Sequence, residues 1–212
     1  MNITSGALLT DLYELTMAQA YLAQGMTDIA VFEFFVRKLP PQRNFFMAAG
    51  LEQVLSYLEA FQFSDADIAW LDQTGGFSPA SLNALRAMRF TGEVHAMPEG
   101  SLFFPHEPIL RITAPLPQAQ LVETRVMNLL NFQTMVASKA CRSVLVAGDK
   151  PLIDFGLRRA HGAEAGLLAA RAAYLAGLAG TSNVSAGARF GIPIYGTMAH
   201  SFVQAHLDES EA

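Results

Sequence analysis

The chain has a single cysteine, Cys141, and no Cys-x-x-Cys or clustered Cys/His pattern, so an internal disulfide and a sequence-local zinc site are both excluded and a reducing compartment is expected. It has no basic surplus: 14 Lys and Arg against 19 Asp and Glu leave a formal charge of -5. That removes the broad positive field on which nucleic-acid binding depends and leaves room for a local phosphate pocket. No apolar run is long and clean enough to span a membrane, because residues 163–179 are interrupted by Glu164 and Arg171 and read as a buried helix. The opening Met1-Asn2-Ile3-Thr4-Ser5 lacks the basic and apolar sections of a signal peptide, so a cytoplasmic location is expected.

What is present suits a folded core: 51% hydrophobic residues and 16% charged ones in a chain of 212, enough for one large domain or two small ones. Apolar spacing predicts a first helix over 8–22 with Thr10 or Ser5 as caps, and a strand over 29–37. Gly50 opens a helix through Phe61; Ser64 and Ser78-Pro79 cap two more. Segments 89–96, 101–104 and 109–112 read as strands of a small mixed sheet. Residues 118–147 read as one long helix with a broad apolar face, in which Cys141 is expected to be a buried, inert thiol.

From Leu152 the pattern becomes strand, glycine turn, helix: strand 152–156, helix 162–175, a short helix 181–190, strand 192–196. Such alternation opens a parallel βα array. The expected fold class is therefore α/β, with an N-terminal α+β domain over 1–150 and the first βα units over 151–212. A closed (β/α)₈ barrel takes about 250 residues, and 62 residues from 151 to 212 cannot complete one.

Three constellations carry chemistry. Gly196-Thr197-Met198-Ala199-His200-Ser201-Phe202 follows a strand, where βα folds place active sites, and delivers a histidine able to act as base, acid or nucleophile. A lone histidine beside an apolar stretch reads equally as a core residue bonded to a carbonyl. Asp154-Phe155-Gly156-Leu157-Arg158-Arg159 sets two guanidinium groups after another strand, suited to carboxylate or phosphate. One of the two arginines is expected to be taken up by helix capping or by pairing with Asp154 or Glu164. Gly180-Thr181-Ser182-Asn183-Val184 is a polar turn into a helix, able to hold a phosphate but also an ordinary cap.

Taken in order, Asp11-Leu12-Tyr13-Glu14-Leu15-Thr16-Met17, the run from Glu123-Thr124 through Asn131-Phe132-Gln133-Thr134, Ala137-Ser138-Lys139-Ala140 and the three constellations above resemble successive signatures of the nicotinate phosphoribosyltransferase family. The resemblance implies a type II phosphoribosyltransferase, its N-terminal half, with an incomplete (β/α) barrel. It also implies a cytoplasmic enzyme of NAD biosynthesis that makes nicotinate mononucleotide and pyrophosphate from nicotinate and phosphoribosyl pyrophosphate. ATP hydrolysis would be coupled through a phosphorylated histidine, matched by His200, with Mg²⁺ accompanying the phosphates. Tyr13 matches a contact to the pyridine ring and Thr197 a contact to nicotinate. Arg158 and Arg159 match the base and phosphate region, Ser182, Asn183 and Ser201 line the pocket, and Lys139 and Arg142 are phosphate contacts. A homodimer with the site at its interface is implied. The alternatives are a non-catalytic half that needs a complementary chain, and a nicotinamide or quinolinate phosphoribosyltransferase relative.

Overall fold

The structure is a computed structural model and describes residues 6–208. Its first helix, α1 (Leu12–Ala23), begins later than the apolar spacing suggests, with Asp11 as an N-cap whose side chain makes no cap bond. Thr10 is not a cap either: its hydroxyl is engaged by Glu14 and by the Leu121 carbonyl. Ser5 lies outside the described residues. Strand β1 (Ile29–Phe34) ends three residues before the expected limit, and its 34 carbonyl accepts from the N–H of Ile109.

After β2 (Phe46–Met47), Gly50 caps α2 (Leu51–Glu59) with φ 107°. Only glycine serves here, because a Cβ would stand 2.8 Å from the Leu129 carbonyl oxygen. Helix α3 (Asp65–Gln73) starts with a full capping box between Ser64 and Asp67, and α4 (Pro79–Ala87) with Ser78 as N-cap and proline in the first turn.

The strands β3 (Glu93–Ala96), β4 (Leu102–Phe103) and β5 (Leu110–Pro115) do not make one mixed sheet. Instead β1-β5-β3 forms an antiparallel sheet and β2-β4 a separate antiparallel pair. Pairing register depends on partners distant in sequence, which alternation within one strand cannot specify.

The predicted single helix over 118–147 is two: α5 (Leu116–Leu121) and α6 (Glu123–Ala147), broken at Val122. The break is held from outside, since the Thr124 N–H turns to the Glu14 carboxyl at 3.1 Å. The main core lies among α1, α2, α3, α4, α5, β5 and the first half of α6, with Val54, Leu71, Leu85, Leu121 and Val122 all but sealed from solvent. Cys141 is buried as expected.

Beyond α6 come β6 (Ile153–Asp154), a 3₁₀ turn (Leu157–Arg159), α7 (Ala163–Leu175), β7 (Gly180–Thr181), α8 (Val184–Phe190) and α9 (His200–Ala205). Thr181 therefore belongs to a strand, not to the helix expected from 181. The expected strand over 192–196 reduces to one parallel bridge, Thr181 to Ile194. β6 and β7 are parallel. Alanines of α6 and α7 let these helices approach closely, and Ala137, Ala140, Ala172 and Ala173 fill the contact. Two ion-pair groups hold α7 in place: Arg125 of α6 to Glu164 at 2.5 Å, and Arg171 to Glu99, in the turn after β3, at 2.7 Å and to Glu52 of α2.

Candidate active site

The three parallel segments run in the order β6, β7, Ile194, and the chain leaves all three at the same edge. Arg158 and Arg159 follow β6, Ser182 and Asn183 follow β7, and Thr197, His200 and Ser201 follow Ile194. Parallel pairing thus brings three of the sequence constellations to one rim, as the strand-turn-helix pattern suggested.

The turn after β6 is shaped by Asp154. Its Oδ1 accepts the Gly156 N–H at 2.9 Å, and its Oδ2 accepts the Thr181 hydroxyl at 2.8 Å, which ties β6 to β7 by a side chain as well as by the ladder. Thr181 Oγ1 in turn accepts the Asn183 N–H at 3.0 Å. These roles of Asp154 and Thr181 were missed in the sequence, although an aspartate two residues before a glycine at a strand end is a recognisable turn signal.

Arg158 and Arg159 are exposed and form no ion pair among the described residues, so the expectation that one would be taken up locally fails. Asp154 is occupied by Thr181 and Gly156, and Glu164 turns instead to Arg125 on α6. Both guanidinium groups are left free for an anion. Asn183 has a divided role: its Oδ1 caps α8 by accepting the Ala186 N–H at 3.1 Å, while its buried Nδ2 finds no partner in the protein. Such an unpaired buried donor normally costs about 1–3 kcal/mol, which a bound acceptor would recover. Thr197, His200 and Ser201 are solvent-exposed, and His200 is the first residue of α9, so it is not the carbonyl-bonded core histidine of the competing reading.

The remaining candidates lie elsewhere. Lys139 is exposed on α6. Arg142 does not serve as a free phosphate contact: its guanidinium stacks over Phe45 at 4.2 Å and donates to the carbonyls of Ser138 and Phe45. Tyr13 is half-exposed on α1, which packs against α5 and α4. Partial burial, then the carboxylates Glu123, Glu14 and Asp11, raise its phenol pKa above the ordinary value, so near neutrality it is a hydrogen-bond donor.

Electrostatics also secures the junction beneath the rim. Burial works against ionisation of Glu99, but the Arg171 guanidinium and the N–H groups of Gly50 and Leu51 outweigh it and hold this carboxyl below its usual range. One side chain thus caps α2 and anchors α7.

Residues 8–131 match the profile of the nicotinate phosphoribosyltransferase N-terminal domain, and residues 151–211 that of the nicotinate phosphoribosyltransferase family. The chain is 55% identical over 207 residues to nicotinate phosphoribosyltransferase pncB2 of Mycobacterium tuberculosis, covering 98% of itself and 45% of that protein. It is 45% identical to the Bacillus subtilis nicotinate phosphoribosyltransferase, over 97% of itself and 42% of the relative. The crystal structure of human nicotinic acid phosphoribosyltransferase superposes with a TM-score of 0.85 at 43% identity, over 92% of this chain and 40% of that one. The chain spans a little under half the length of these relatives. With its two profiles in order and nearly every residue aligned, it belongs to the nicotinate phosphoribosyltransferase family.

Proposed function

We propose that the chain carries the N-terminal portion of a nicotinate phosphoribosyltransferase, with 1–150 as an α+β domain and 151–212 as the opening units of a (β/α) barrel. The reaction joins the nicotinate ring nitrogen to the anomeric carbon of phosphoribosyl pyrophosphate and releases pyrophosphate, a step in NAD biosynthesis. The observation that carries this reading is the rim itself: two unpaired guanidinium groups, an orphaned amide donor and an exposed histidine on one edge of parallel strands, in a chain of this family.

The residue types fit the chemistry. As the anomeric bond breaks, positive charge grows on the sugar and negative charge on the departing diphosphate, so fixed donors aimed at the diphosphate stabilise the transition state. Arg158 and Arg159 are placed for that anion, and the Asn183 amide and Ser182 for neighbouring oxygens. Among the described residues no three His, Cys, Asp or Glu side chains gather as a metal cluster. Mg²⁺ would accordingly be held by the phosphates it neutralises, with the arginines beside it. Thr197 and, from α1, Tyr13 would contact nicotinate, the latter across a homodimer interface; Lys139 would meet a phosphate. His200, with Ser201 beside it, would attack the terminal phosphorus of ATP, expelling ADP, and later pass the phosphoryl group to water, which couples ATP hydrolysis to the condensation.

His200→Ala tests the coupling. ATP-stimulated turnover should disappear while slow ATP-independent synthesis persists; unchanged stimulation would remove the role. Turnover of nicotinamide in preference to nicotinate would overturn the substrate assignment.

A second reading has its own support. Ile194, Met198 and Phe202 beside the rim are exposed apolar side chains, and the chain spans under half of its relatives. It would then be a folded but inactive portion that pairs with a complementary polypeptide. Size-exclusion chromatography with labelled nicotinate separates the two, since a soluble monomer that turns over substrate unaided excludes the second.

A further inference from the structure

The ladder between β6 and β7 has only two residue pairs, Ile153 with Gly180 and Asp154 with Thr181. The anion-binding groups of the rim are divided between those strands: Arg158 and Arg159 lie on the 3₁₀ turn after β6, and the Asn183 amide follows β7. Parallel pairing is the weaker kind, and two rungs of it give these groups little fixed relation.

Asp154 supplies what the ladder lacks. It is the register partner of Thr181, and the Thr181 hydroxyl donates its single proton to Asp154 Oδ2 at 2.8 Å. Thr181 Oγ1 accepts the Asn183 N–H at 3.0 Å, and Asn183 Oδ1 accepts the Ala186 N–H at 3.1 Å. The amide is thereby oriented, with its buried Nδ2 as the donor left without a partner. On the other side, Asp154 Oδ1 accepts the Gly156 N–H at 2.9 Å and sets the entry to the turn Leu157–Arg159. That turn is seated on α7 as well, because Gly166 makes room for Leu157: a Cβ there would stand 2.5 Å from Leu157 Cδ1. Removing the Asp154 side chain should therefore free the turn from β7 without detaching it from α7.

Charge alone gives this aspartate no reason to stand where it does. A carboxylate at an anion-binding edge repels the ligand, so it favours binding only through geometry.

We propose that Asp154 is a positioning residue for the diphosphate: its two oxygens hold the arginine turn and the Asn183 amide in one relation, so that both meet the same anion. The inference rests on the reading of the rim as the diphosphate site.

The experiment measures pyrophosphate affinity by ¹⁵N-amide titration of the full 212-residue chain, for wild type, Asp154→Ala, Asp154→Asn, Thr181→Val and Thr181→Ser. Charge and geometry predict opposite signs. Loss of a negative charge beside the site would tighten binding; loss of the clamp weakens it, by about tenfold for Asp154→Ala, the contribution of one hydrogen bond to a charged group. Asp154→Asn should fall between wild type and alanine, because an amide has one acceptor oxygen and forfeits the bond from Gly156 or from Thr181 whichever way it turns. Thr181→Val leaves the charge in place and should weaken binding in the same direction, adding little to Asp154→Ala in the double variant. Thr181→Ser, which keeps the hydroxyl, should restore wild-type affinity.

Equal or tighter binding by Asp154→Ala, with shifts still on the rim, overturns the positioning role and leaves the diphosphate reading standing. Fully additive losses in the double variant overturn it too, since the two side chains would then act separately. If the Asp154 variants do not fold, the Thr181 pair decides, and equal affinity in Thr181→Val and Thr181→Ser overturns the proposal. Wild-type shifts that avoid the rim overturn the diphosphate reading and the positioning role together.

Discussion

The N-terminal region and the parallel segment beyond α6 are stabilised differently. The first buries large side chains in depth: Phe46, Phe61, Phe103, Leu71 and Leu121 are all within 2% of full burial. The second has a core of alanines and one isoleucine, Ala170, Ala186 and Ile192, and leaves Ile194, Tyr195, Met198 and Phe202 exposed. Apolar area removed from water sets most of the folding energy. The first region is therefore the platform, and the segment with the candidate site is held mainly by its attachment to that platform through α7.

The contrast breaks most visibly at Phe103, which packs on Phe46 at a ring separation of 5.6 Å. Phe103→Ala should cost about 3–5 kcal/mol in denaturant unfolding, whereas Ile194→Ala, at 59% exposure, should stay within about 1 kcal/mol. Comparable losses at both positions would mean that the two regions are equally packed. Arg171→Ala strips the partner from the partly buried Glu99 and should cost about 2–3 kcal/mol, somewhat less than for a fully buried pair. Hydrogen exchange should show the loss first in α7 and β7, since the attachment fails before the platform does.

A pH series sharpens the platform side. Glu14 holds its proton up to about 7 when folded, against an ordinary value of 4.5. Between those values the folded chain binds more protons than the unfolded one, so stability falls as pH rises through that window and the contribution is lost above it. The decline should be on the order of 3 kcal/mol, and Glu14→Gln should remove it relative to wild type.

Within the parallel segment Gly180→Ala should cost about 1–3 kcal/mol by overpacking, because its Cβ would stand 2.4 Å from the Pro193 carbonyl oxygen and 2.6 Å from the Tyr195 ring. Limited proteolysis should find the damage confined to residues 180–208. Cleavage spread through α1 to α5 would show that the two regions unfold as one.

Sequence made legible what is written locally. The Ser64 capping box, the Ser78-Pro79 start and the burial of Cys141 all follow from residues within a turn of one another. The βα grammar carried the rim for the same reason. Features set by distant partners were not legible: the division of the strands into two antiparallel sheets, and the break at Val122, capped by a glutamate 110 positions away from Thr124. Nothing in a single acidic letter on α1 announces that it is sealed from water. Likewise Arg158 and Glu164 look like partners in sequence, yet Glu164 sits on the face of α7 that meets Arg125.

The central claim is that anionic substrate groups gather at the edge of β6, β7 and Ile194. Titrating pyrophosphate into the ¹⁵N-labelled chain while following backbone amides tests it most directly. The account predicts shifts clustered at residues 156–159, 182–184 and 197–201, abolished in the Arg158→Ala, Arg159→Ala double variant with stability unchanged within about 0.5 kcal/mol. Shifts centred on other surfaces, or undiminished in that variant, would contradict it.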